Sequence, residues 1–77
     1  MDLSGSIIGL KQSEKIVKSG KAKIAYVARD ADAHVRDPFI NTCEQFGVPV
    51  TFVPTCRELG NACGIDVGAA VAVLTKG

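Results

Sequence analysis

At 77 residues and 47% hydrophobic content, the chain suits one small globular domain, residues 1–77, with little room for a deep catalytic cleft. No apolar run approaches the roughly 18 residues that span a bilayer, and Asp2 and Gly5 stand where a secretory leader would be basic and apolar, so a cytoplasmic protein without membrane contact is expected. A formal net charge of +1 excludes a generic polycation.

In chain order, Leu3, Ile7 and Ile8 have a spacing that predicts a short helix docking one side, interrupted by Gly9. Residues 11–19 form a second helix with Ile16 and Val17 turned to the core. Lys11, Lys15 and Lys18, at i, i+4 and i+7, share one face. Gly20 suits a C-terminal cap. Residues 22–28 read as a buried strand, because Ile24, Tyr26 and Val27 are strand formers among small residues.

The turn Asp30-Ala-Asp-Ala33 follows, with a short helical turn expected around residues 33–36. Asp37-Pro38 then reads as an N-cap and first helical position. Phe39, Cys43 and Phe46 make the apolar stripe of that helix, which ends at Gly47. Residues 49–53 are a strand. Thr55 to Glu58 is a capping box opening a third long helix, with Leu59, Ala62 and Cys63 inward and Gly64 at its end. A loop, Ile65 to Gly68, precedes the closing strand at residues 69–75.

Alternating helices and apolar strands imply an α/β fold, a three-layer α-β-α sandwich around a small mixed sheet covered on both faces.

Charge is unevenly distributed. Between Lys11 and Arg29 six basic residues face Glu14 alone, whereas between Asp30 and Asp66 six acids face Arg36 and Arg57. That asymmetry fits either a localised anionic partner or a solvated basic helix face. His34, the one histidine, lies in an acidic turn and reads as a solvated side chain rather than part of a nucleophile site. Asp30, Asp32 and Asp37 have the oxygen chemistry of a cation site, but such aspartates commonly cap turns and helices. The three cysteines, Cys43, Cys56 and Cys63, lack zinc-type pairing and read as reduced thiols, Cys56 being the one placed for exposure. No metal and no cofactor is expected.

The segment Gly9-Leu10-Lys11-Gln12 couples a glycine, which permits close backbone approach, to a helix start whose free N–H groups attract phosphate. Lys11 opposes the positive end of the helix dipole, so its placement suits a ligand rather than the helix. Gln12 offers a donor and an acceptor to base edges. The bland alternative is an ordinary helix start.

Taken together, the ordered segments IIGLKQSEKIVKSGKAK, ARDAD, CEQFGVPV and RELGNACGIDVGAA resemble the kink-turn RNA-binding family of archaeal ribosomal protein seven-Ae and ribosomal protein thirty-e, nearest its short bacterial members. The resemblance covers about Ile7 to Leu74. It implies that Gly9 allows close backbone approach to a major groove. Lys11, Gln12 and Lys15 would contact guanine edges and nearby phosphates there, with Leu10 and Lys18 in the same RNA-binding segment, while Val53, Pro54, Thr55, Cys56 and Arg57 cover a looped-out nucleotide. Ser19 stands where archaeal members carry a basic residue, and Pro54-Thr55-Cys56 departs from the usual small or acidic residue followed by serine.

The implied partner is a structured RNA with a kink-turn, ribosomal or other, bound by a monomer. The rival expectations are a ribosome-associated protein-interaction module with reduced RNA binding, and a small enzyme or ligand-binding domain using the Gly9 loop for a nucleotide phosphate. The enzyme reading lacks a GxGxxG or Walker pattern.

Overall fold

Two hydrophobic pairings account for most of the architecture seen in the computed structural model, which describes residues 5–76. β2 (Ala22–Ala28) lies between β3 (Val50–Val53), to which it is parallel, and β4 (Val71–Thr75), to which it is antiparallel. A two-residue strand, β1 (Ile7–Ile8), closes the far side of β4 and gives a four-stranded mixed sheet in the order β1-β4-β2-β3.

Because β2 and β4 are central, their alternate residues point into two separate cores. Ala25, Val27, Val71 and Val73 meet Val17, Phe39 and Cys43 beneath α1 (Leu10–Lys18) and α2 (Ala33–Gln45). Tyr26, Ala28, Ala72 and Leu74 meet Leu59 and Cys63 of α3 (Cys56–Cys63) on the other face. Helices cover both faces of β2 and β4, so these central strands are largely apolar, as the three-layer expectation requires. Complete burial of Leu59 alone contributes about 2 kcal/mol.

Local signals set the helix ends. Thr55 Oγ1 accepts from the Glu58 N–H at 3.0 Å, one half of the expected capping box. Gly64 ends α3 in the left-handed conformation, φ 81°. Gly20, at φ 77°, follows α1 in a Schellman arrangement: its N–H donates to Val17 at 3.2 Å and that of Lys21 to Ile16 at 3.3 Å.

Three expectations are corrected. Ile7 and Ile8 form a strand rather than a helix: these β-branched residues complete the otherwise unpaired side of β4, while Leu3 lies outside the described residues. α2 starts at Ala33, with Asp32 Oδ1 accepting from the His34 N–H at 2.9 Å; Pro38 therefore lies inside the helix, forgoes one backbone bond, and is not its first residue. Finally, Phe46 caps α2 outside its last turn and is 46% exposed, so the inward stripe is Phe39, Ile40 and Cys43.

Candidate nucleic-acid interface

Strand register gathers the relevant loops at one end of the sheet. Ile8 is opposite Ala72, Val27 is opposite both Val71 and Phe52, and Ala28 is opposite Val53. Hence the chain leaves β1, β2 and β3, and enters β4, at this same end. The helices α1, α2 and α3 follow those three strands, so all three N-termini gather here, and their dipoles add a positive potential.

The three N-termini are not equivalent. Asp32 caps α2, while α3 receives both Thr55 and Asp30, whose Oδ1 accepts from the Cys56 N–H at 2.7 Å. Among the described residues nothing caps α1 through a side chain, and its first turn holds no acid. Gly9 enters it at φ 101°, a conformation that favours glycine, and the Ser13 N–H is the one that reaches the Gly9 carbonyl, at 2.9 Å. The N–H groups of Leu10, Lys11 and Gln12 lie before that first helical bond and face the open end.

What fixes α1 is its other side. Val17 and Ser13 are fully buried, Ser13 Oγ donates to the Ile7 carbonyl at 3.3 Å, and Leu10 and Ile16 pack against the core. Lys11, Gln12, Lys15 and Lys18 are all exposed. The basic segment is not one pole, however. Lys21 and Lys23 sit at the opposite end of the seven-residue β2 from Arg29, about 20 Å away.

The 53–57 loop divides. Val53 is only 3% exposed and belongs to the core under α3, so its side chain is not a surface contact. Pro54 and Arg57 are exposed, while Thr55 and Cys56 are half-buried. Pro54 rims a pocket of about 500 Å³ shared with Glu58, Asn61 and Ala62. Because β1 and β3 are three strand spacings apart, the α1 start and this loop stand about 14 Å from each other.

A further element, read in the sequence only as a connector, completes this end. The loop carrying Val67, which is 70% exposed, packs on the start of α3: Ala69 N–H donates to the Cys56 carbonyl at 3.0 Å. Gly60 lies directly beneath the Val67 carbonyl, and Gly68 lies against Cys56. Gly60 and Gly68 were the available signal, since a helical glycine often marks a close backbone approach.

Electrostatics at Asp30 are set by these contacts. Hydrogen bonds from the Cys56 thiol and then its N–H hold the carboxyl below its usual range, while burial and the neighbouring Asp30 raise the Cys56 thiol. Asp30 and Asp32 are thus engaged as caps, Asp37 lies 3.6 Å from Arg36 Nε, and His34 is exposed. Cys43 and Cys63 are buried free thiols. Among the described residues no helix is long and apolar enough to cross a membrane.

Known proteins resemble this chain in sequence and in fold. Residues 2–77 match the model of the ribosomal protein L7Ae/L30e/S12e/Gadd45 family. An RNA-binding protein of Caldanaerobacter subterraneus subsp. tengcongensis is 42% identical over 66 residues, 86% of this chain and 80% of its own. The RNA-binding protein YbxF of Geobacillus stearothermophilus is 42% identical over 70 residues, 91% of this chain and 85% of its own. Among solved structures, the 15.5kD RNA binding protein of Giardia lamblia superposes with a TM-score of 0.87 at 33% identity. The match covers 94% of this chain but 61% of that one, so the chain spans less than two thirds of that protein.

Proposed function

Because the chain belongs to the ribosomal protein L7Ae/L30e/S12e/Gadd45 family, we propose that it binds RNA, is not an enzyme, and recognises a kink-turn. The observation that carries the reading is the start of α1, which no side chain of the described residues caps, with Lys11 and Gln12 exposed beside it, on the same end of the sheet as Pro54 to Arg57. RNA is read in sequence where irregular structure exposes base edges, which a regular A-form groove hides.

In this reading each residue has one task. The free N–H groups after Gly9, with Lys11 and Lys15, hold backbone phosphates. Gln12 reads a guanine edge, and Lys18 adds attraction from one to two turns along the helix. Pro54, Thr55, Cys56 and Arg57 cover a looped-out nucleotide about 14 Å away, across two intervening strands. Val53 supports that loop from below. A monomer that binds only the kinked form shifts the RNA's equilibrium towards it. The setting is cytoplasmic, with ribosomal or other structured RNA as partner.

Gel-shift titration tests this with a kink-turn RNA and a control whose sheared G·A pairs are replaced by Watson–Crick pairs. The kink-turn binds more tightly, and Lys11→Ala or Gln12→Ala removes the preference. With about three to five phosphates neutralised, affinity falls modestly with salt. Equal affinity for both RNAs would overturn the reading and favour a protein-interaction role at the ribosome.

A further inference from the structure

We propose that Arg29 and Phe52 form a stacking shelf for one unpaired nucleotide flanking the kink-turn, beyond the grip described above; the inference rests on the RNA-binding reading. β3 is an edge strand, and Phe52 is 43% exposed on it. Large exposed aromatics are few in this chain, which has three phenylalanines and one tyrosine, and Phe39 is fully buried. Arg29 Cζ lies 5.5 Å from the Phe52 ring centroid, within cation–π range.

The Arg29 backbone is anchored at both of its polar groups beside the ring. Its N–H donates to the Val53 carbonyl at 2.8 Å, and its own carbonyl accepts from Arg36 Nη1 at 2.7 Å. Arg36 in turn lies 3.6 Å from the Asp37 carboxylate. With Ile40 these residues line a pocket of about 510 Å³. Two guanidinium groups face one carboxylate, which leaves the pocket net positive.

That combination matches a nucleotide better than a peptide. A base stacks on an arginine or aromatic face whatever its sequence, while remaining guanidinium N–H groups donate to the adjoining phosphate. An apolar peptide would cover Phe52 but leave two guanidinium groups desolvated. Position supplies the link to the grip: the carbonyl that holds Arg29 belongs to Val53, the residue before Pro54. A strand passing over Pro54 towards the sheet edge arrives at this shelf.

Fluorescence-anisotropy titrations decide the matter with a flush-ended kink-turn RNA and the same RNA carrying a short single-stranded extension on each strand in turn. The wild-type chain binds one extended RNA about fivefold or more tightly than the flush one, the low end for a base–aromatic stack. Phe52→Ala, Phe52→Leu and Arg29→Ala each return the extended RNA to the flush value, while flush binding stays within about twofold. Phe52→Leu keeps the apolar side chain, and Arg29→Ala lies outside the strands, so a disturbed β3 does not obscure the result. An extension of abasic nucleotides gives a smaller gain than one with bases.

Absence of any gain in the wild type overturns the shelf, as does a full gain in Phe52→Ala and Arg29→Ala, which would leave this pocket to an acidic peptide partner. Failure of the RNA-binding reading shows separately, as equal affinity for flush kink-turn and Watson–Crick control.

Discussion

Asp30 Oδ1 accepts a hydrogen bond of 2.7 Å from the backbone N–H of Cys56, tying the loop after β2 to the first residue of α3 across 26 positions of sequence. Together with Thr55 this caps the start of α3, and with Asp32 on α2 it leaves α1, among the described residues, as the helix at that end without a side-chain cap. The positions of the acids are therefore as informative about the interface as those of the lysines.

Asp30→Asn should lower the thermal unfolding midpoint at neutral pH, because the cap loses its charge. The Asp30 carboxyl titrates below its usual range in the folded state, through the Cys56 thiol and N–H. Its contribution is present above the unfolded value of about 3.9 and is lost as pH falls through the lower folded value. Unfolding midpoints of wild type and variant should thus converge in acid. A constant difference down to pH 2 would mean that the ionised form is not what the cap requires.

Burial, and secondarily Glu44, pushes the Cys43 thiol up to about 11. In the unfolded chain the thiol ionises near pH 8.5, so its stabilising contribution is complete below that value and declines as pH rises towards 11. Chemical denaturation between pH 8 and pH 11 should show wild type losing stability that Cys43→Ala does not lose. Parallel pH profiles would exclude Cys43 as the titrating group.

Gly60→Ala tests the packing of the Val67 loop. Alanine would ordinarily favour a helix by up to about 1 kcal/mol. Here its methyl would land on the Val67 carbonyl, which is backbone and cannot rotate away. Overpacking therefore dominates, with a net loss of about 1–3 kcal/mol and a lower urea midpoint. A stabilised variant would show that the loop moves freely off α3.

Val53 and Pro54, adjacent in sequence, should behave oppositely when replaced by aspartate. Val53→Asp puts an unpaired charge among Ala28, Leu59 and Ala72 and should abolish the cooperative unfolding transition seen by circular dichroism. Pro54→Asp changes an exposed position, should leave that transition in place, and should weaken kink-turn binding by repelling phosphate. A well-folded Val53→Asp protein would contradict the burial of this residue; intact RNA binding in Pro54→Asp would remove the loop from the grip.

Much of this was readable from local patterns. Residues 22–28 carry too many apolar side chains for a one-sided strand, so burial on both faces was implied without coordinates. The Thr55–Glu58 spacing marked the start of α3 and Gly64 its end, and Gly20 marked the end of α1, because caps depend on residues within one turn. Of the assignments that failed, one lay where distant chain intervened and another where a helix ended earlier than its apolar spacing suggested. Ile7 and Ile8 are a strand because β4 offers them a free edge, and Phe46 is exposed because α2 stops one residue before it.

The sequence by itself determined the α/β layering, the family resemblance and the basic, glycine-led start of α1, since each rests on residue type and short-range spacing. Only the tertiary structure decided that Val53 is core, that Lys21 and Lys23 lie at the far end of β2 from the α1 start, and that Val67 and the Arg29–Phe52 pair join the same end as Gly9. Those facts follow from strand order and register, which bring residues dozens of positions apart into contact. Because neighbouring strands are free to pair in several orders, no local pattern could specify them.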